Sequence, residues 1–215
     1  MENNKPTAAE LNNAEDIVAR VQQNKKTVMW CLLTGGILVI IALAWILLSQ
    51  SGSRKADELV GKADIEMNDS VATALYMDAA KAGHRSGHRA AAMVAINLFN
   101  KGEYEQAIKY LDDADLDDAV AAPGVYALKG DCYANLDQLD KALGCFDKAI
   151  SKADGNPEIV PFILIKKANI YRAQGNYSAE AKAYKTIIDD YPTYVATTRN
   201  DIRRFYERAA AQAAQ

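Results

Sequence analysis

His84 and His88 stand four residues apart, the spacing that sets two imidazoles on one helical face where they can share a divalent metal. Their neighbours argue against it, because Gly83 and Gly87 weaken a helix there and Arg85 and Arg89 place positive charge where the cation would sit. The acidic run LDDADLDDA, residues 111–119, has the carboxylate density of a calcium loop without its glycine or its terminal glutamate. It reads as a solvated helix end. Three cysteines, one of them Cys31 inside an apolar run, are too few for a disulfide scaffold or a zinc site. Cys132 and Cys145 fall on two helices that fold back on each other about one turn out of level, so they read as small buried hydrophobes, a disulfide being the alternative. No nucleophile elbow, phosphate-binding loop or zinc-protease helix occurs in the chain. The sequence therefore predicts neither an enzyme nor a metal or cofactor site.

The elements that carry these residues are of two kinds. Val28 to Leu48 is a run of 21 residues without a charge, which at ~1.5 Å per residue matches the ~30 Å hydrocarbon core of a bilayer. A cleaved signal has an apolar stretch of only ~7–15 residues close behind the initiator. Here 27 residues precede the run, so it reads as an uncleaved transmembrane helix in contact with lipid over 28–48, with cleavage near Ala42–Ala44 or Ser49–Ser51 as the alternative. Trp30 and Trp45 fit an interfacial aromatic belt, or equally aromatic packing between helices. Arg20, Lys25 and Lys26 on one flank balance Arg54, Lys55 and Lys62 on the other, so charge does not orient the segment. The tail 1–27 contains an amphipathic stripe, Leu11, Ala14, Val18 and Val21, which either rests on the membrane surface or continues into the anchor, or binds a partner. A formal net charge of −3 with dispersed lysines and arginines leaves no basic footprint for nucleic acid.

Beyond the anchor the pattern is helical throughout, with glycine and proline at the junctions and no strand alternation. YALKGDCYANLDQLDKALGCFDKAI, residues 126–150, places Tyr126, Gly130, Tyr133, Ala142, Phe146 and Ala149 at the spacing of a tetratricopeptide repeat, in which a small residue on the first helix lets the second pack closely. LIKKANIYRAQGNYSAEAKAYKTIIDDYP, residues 164–192, repeats it 38 residues later through Ala168, Tyr171, Gly175, Tyr184 and Pro192. One departure, Glu180 where a small residue is expected, predicts looser or slightly rotated packing. AMVAINLFNKGEYEQAIKYLDDA, residues 92–114, is a copy 35 residues upstream. The fold class is thus all-α: one N-terminal transmembrane helix, then a right-handed tetratricopeptide α-solenoid. Residues 49–87 are expected to form a linker and a degenerate leading hairpin in which Leu75, Tyr76 and Ala79 pack, 88–192 three repeats, and 193–215 a capping helix with Val195, Ile202, Phe205 and Ala209 inward and Arg199, Arg203 and Glu207 outward.

A polar tail carrying NAEDIV, a single anchor, and an array carrying GDCYANLDQLDKAL resemble the ancillary Sec-translocon subunits of the bacterial inner membrane over essentially the whole chain. The resemblance implies a cytoplasmic N-terminus, periplasmic repeats, and protein partners among translocon subunits, periplasmic chaperones or an emerging polypeptide. Tetratricopeptide arrays line their concave face from the first helix of each hairpin. That implies a partner-binding groove of Arg89, Ile96 and Phe99, then Asp131 and Asn135, then Phe162, Ile165, Asn169 and Arg172, with Ala92 and Ala127 between them. Such a mixed surface suits an extended or helical protein segment better than an anionic tail, and a merely solvated face is the alternative. Function then divides between a membrane-anchored periplasmic adaptor and a structural scaffold for another envelope machine, in cell division or wall synthesis.

Overall fold

A computed structural model describes residues 25–197 and 201–215, so the tail stripe and Arg199 lie outside the described residues. Ten helices succeed one another among them: α1 Lys25–Ile65, α2 Asp69–Ala80, α3 Arg85–Asn100, α4 Tyr104–Asp113, α5 Ala121–Asn135, α6 Leu139–Lys152, α7 Ile159–Ala173, α8 Tyr177–Asp190, α9 Pro192–Thr197 and α10 Ile202–Ala213. No strand occurs among the described residues. The chain divides into two units at Ser51 and Gly52.

In the first unit, every side chain of α1 from Met29 to Leu47 is exposed, Leu and Ile no less than Trp30 and Trp45. A core helix of a soluble domain hides at least one face; this one hides none, which leaves a membrane span or a signal segment. Its one hydroxyl within the run, Thr34, donates to the carbonyl of Trp30 at 2.9 Å and so needs no outside partner. Residues 49–53, expected as a linker, are helical.

The second unit buries its apolar side chains in three clusters along the chain. The first joins Val60 and Ala63 of α1 to Tyr76 and Ala79 of α2, to α3 and α4, and to Val125 and Cys132 of α5. The second joins Ala142, Phe146 and Ala149 of α6 to Ile163 and Ile170 of α7. The third joins Ala168, Tyr184 and Ile187 to Tyr194 and Ile202. The first two clusters reach into the next hairpin and the third into α9 and α10, as in a solenoid stabilised between neighbours.

Local chemistry sets the helix ends. Asn68 caps α2 by accepting from the amides of Ser70 and Val71, and Asn176 caps α8 by accepting from Ala179. Pro123 and Pro161 sit in the first turns of α5 and α7, where the missing N–H leaves no hydrogen bond unmade. The turn inside each hairpin needs one left-handed residue, and Gly102 (φ 79°), Asp137 (φ 57°) and Gly175 (φ 71°) supply it at the same repeat position.

Between the helices of a hairpin, a small residue faces a large one: Ala95 with Leu111, Gly130 with Phe146, Ala168 with Tyr184, all buried. The second pair is the tightest. A Cβ at Gly130 would lie 2.5–2.9 Å from three carbons of the Phe146 ring, which is itself fully buried and has nowhere to move.

Glu180 corrects the expectation of loose packing. Its side chain is 0% exposed, and Arg208 of α10 donates to Oε1 at 2.8 Å. The same guanidinium lies 5.4 Å from the Phe205 ring, which packs at 5.7 Å against Tyr184. Arg208 thus pins α10 onto α8, with Ile202 and Ala209 buried beneath it and Arg203 and Glu207 outside.

Gly130→Ala should lower unfolding stability by about 1–3 kcal/mol through overpacking, in spite of its better helix propensity. Adding Phe146→Leu should recover part of the loss, because it recreates the Ala95 and Leu111 pair; urea midpoints of parent, single and double variants check this.

Arg208→Met should cost about 3 kcal/mol by stranding a buried carboxylate, whereas Glu180→Ala together with Arg208→Met should cost clearly less. Equal losses in thermal melts of the two variants would show that Glu180 needs no cation.

Candidate partner-binding groove

The first helices of successive hairpins touch, α3 with α5 and α5 with α7, while α4, α6 and α8 pack behind them. Side chains on the free side of α3, α5 and α7 therefore form one continuous face, and its chemistry changes along the array.

Between α3 and α5 lies a cleft of about 390 Å³. Arg89, Met93 and Ile96 line one wall, Gly124, Val125 and Leu128 the other, and Leu111 and Leu116 close the floor. Ile96 is 39% exposed. Arg89 is the one charged lining residue, and its guanidinium is engaged by Asp64 at 3.0 Å. Asp118 starts the second wall by accepting from the amides of Ala121 and Val120, bonds that hold its carboxyl below the usual range.

Between α5 and α7 the face is polar. Lys166 bonds both oxygens of Asp131, at 2.8 and 3.0 Å, and lies 4.8 Å from the Phe162 ring centroid. The ring itself is 52% exposed. Asn135 donates to the carbonyl of Asp131 at 2.9 Å and is exposed. Asn169 and Arg172 follow on α7, both exposed.

Of the sequence-predicted residues, Arg89 and Ile96 meet in the cleft, and Asp131 meets Phe162 through Lys166. Phe99 and Ile165 are packing residues in part: Phe99 sits edge-on to Tyr104 at 5.4 Å against the first cluster, and Ile165 against the third. Sequence reasoning passed over Lys166 and Gly124. The 38-residue register carried a signal for the glycine, since it aligns Gly124 with the bulky Phe162.

The residues singled out for chemistry scatter. His88 Nδ1 lies 2.6 Å from the carbonyl of Asp113 and ties α3 to the end of α4, while His84 lies beside Gly52. No group of three or more metal-ligating side chains converges among the described residues. Cys132 and Cys145 are free and buried. Burial, helped by Asp131, pushes the Cys132 thiol from 9.0 up to about 11, and burial raises Cys145 too. Burial, followed by the 2.6 Å bond that Tyr76 donates to Asp64, pushes that phenol up to about 12. Such thiols are held protonated at neutral pH and make poor nucleophiles.

The fold defines a helical-repeat protein whose first helices share one face. The repeats are tetratricopeptide repeats, matched by family models over residues 123–151 and 163–194. A crystal structure of MamA protein superposes with a TM-score of 0.50 at 16% identity, over 78% of this chain and 92% of that one. A second crystal structure of MamA gives 0.49 at 16% identity, over 76% and 94%. At such identity the first of these likenesses speaks for the fold alone. No curated protein matches the chain.

Because the folded pKa of Cys132 lies above its unfolded value, the unfolded chain loses that proton first as pH rises. Stability should hold below pH 9.0 and fall between there and about 11. Urea midpoints across that range check the slope, which Cys132→Ala should flatten.

Proposed function

We propose that the chain is a protein–protein interaction adaptor, held in the bacterial inner membrane by residues 28–48, with its repeats in the periplasm beside the Sec translocon. The observation that carries the adaptor role is the outer end of the groove. Phe162, Asn169 and Arg172 stand exposed on α7, and the aromatic ring and the guanidinium are of the kinds that anchor protein interfaces. Anchoring is supported by α1, whose apolar side chains from Met29 to Leu47 find no cover in the fold. The translocon and its periplasmic chaperones enter through the resemblance in the tail and the second repeat, which also orients the N-terminus to the cytoplasm. A partner or an emerging polypeptide would be held on α5 and α7 while the anchor keeps the array at the membrane.

Photo-crosslinking side chains at Phe162, Asn169 and Arg172, compared in intact cells with outward Lys148 and Lys185, test the reading. Adducts to translocon subunits or periplasmic chaperones are expected from the groove positions alone. Adducts confined to division or wall-synthesis proteins would replace the adaptor with a scaffold. Capture that survives loss of the groove but vanishes when residues 1–48 are exchanged for another anchor would move the site into the tail. The protein should keep its Met1 end, and protease admitted to the periplasm should digest the repeats; protected repeats would reverse the topology.

A further inference from the structure

The cleft between α3 and α5 poses a problem that the groove as a whole does not. Gly124 lies in the first turn of a helix, is exposed, and would accept a Cβ without meeting any atom within 4 Å. Neither backbone conformation nor close packing requires a glycine there, and glycine weakens a helix. What its missing side chain does is keep the cleft open, since the equivalent position of the next repeat carries Phe162.

We propose that this cleft receives the apolar side chains of an uncharged polypeptide segment. The inference rests on the reading of the array as a protein-binding adaptor and names the chemistry of what it holds. A volume of about 390 Å³ admits more than one large side chain, and the lining away from Arg89 is wholly apolar or glycine. The electrostatics match a neutral occupant. Arg89, the one charged lining residue, is paired with Asp64, and beyond the lining Lys129 is paired with Asp112 and Lys166 with Asp131. Among the residues that line the cleft, a charged segment would meet only Arg89, whose charge Asp64 already balances. The face beyond the cleft points to a polypeptide over a fatty chain, because Asn135 and Asn169 offer amide groups able to pair with peptide N–H and C=O.

The experiment uses the full chain in lipid nanodiscs and three capped fluorescent peptides. One alternates leucine and phenylalanine with serine and glutamine; the others carry the same core flanked by lysines or by glutamates. Binding above the empty-disc blank is expected for the neutral peptide, with little change in affinity between about 0.05 and 0.5 M salt. Gly124→Phe should fill the cleft and weaken that binding about ten-fold or more, while Gly144→Phe, another exposed helical position with open space around it, should not. Thermal melts check that both variants stay folded. Preferential, salt-sensitive binding of either charged peptide would overturn the proposal. So would neutral binding indifferent to Gly124→Phe, or displacement of the peptide by a fatty acid but by no unlabelled peptide. Groove crosslinks to protein persisting beside any of these failures would leave the adaptor reading intact and sink only the cleft.

Discussion

The close approach of a small residue on the first helix of each hairpin to a large one on the second is the constraint from which the rest of the array follows. At Gly130 the Phe146 ring occupies the space of a missing Cβ, and Ala95 and Ala168 serve the same function beneath Leu111 and Tyr184. A larger residue at any of these positions would hold the two helices apart. The first helix would then lose its place against the first helix of the next hairpin, and α3, α5 and α7 would no longer share a face. The geometry of that face is therefore set from behind, by buried packing.

A second layer of interactions runs across the hairpins. Lys129 reaches back from α5 to Asp112 of α4, Lys167 from α7 to Asp147 of α6, and Lys166 from α7 to Asp131 of α5. Each partly exposed pair contributes little alone, on the order of 0–1 kcal/mol. Their placement matters more than their strength, because the first two tie each first helix to the hairpin before it and the third engages charges that would otherwise face the groove. What remains free there is shape, apolar surface and amide groups. Arg172 is the exposed exception at the far end.

Much of this was legible in the sequence because packing imposes a period. Gly130, Phe146, Ala168 and Tyr184 recur at fixed offsets since each must meet its partner once per hairpin, and the stripe of Ile202, Phe205 and Ala209 betrays the cap for the same reason. The apolar run of α1 is legible from composition alone. Contacts between side chains of different hairpins leave no such trace. Lys166 reads as an ordinary solvated lysine until α5 brings Asp131 to it, and Glu180 reads as a packing fault until α10 supplies Arg208. Phe99 and Ile165 were read as free because the repeat position is outward, but Tyr104 and the third cluster cover them in part. The helicity of residues 49–53 was missed because Ser and Gly dominate that stretch, and helix on both sides overrides their weak propensity.

Glu180 also bears on how the last helix is held. In the first two hairpins the acid that receives the following helix sits at the rim, Asp112 and then Asp147, one repeat apart. The same register places Lys185 at that position in the third hairpin, where it pairs with Asp189 of its own helix. A further repeat helix presenting a lysine in the manner of Lys129 and Lys167 would meet like charge there. The acid has moved inward instead, to the buried position held by Ala107 and Ala142 in the other hairpins, where only a long donor can reach it. Arg208 is that donor, its guanidinium reaching in from the surface with the Phe205 ring packed beside it. The third hairpin thus holds α10 by exchanging a rim acid for a buried one, an acid–base contact of the same kind as those that join the repeats before it.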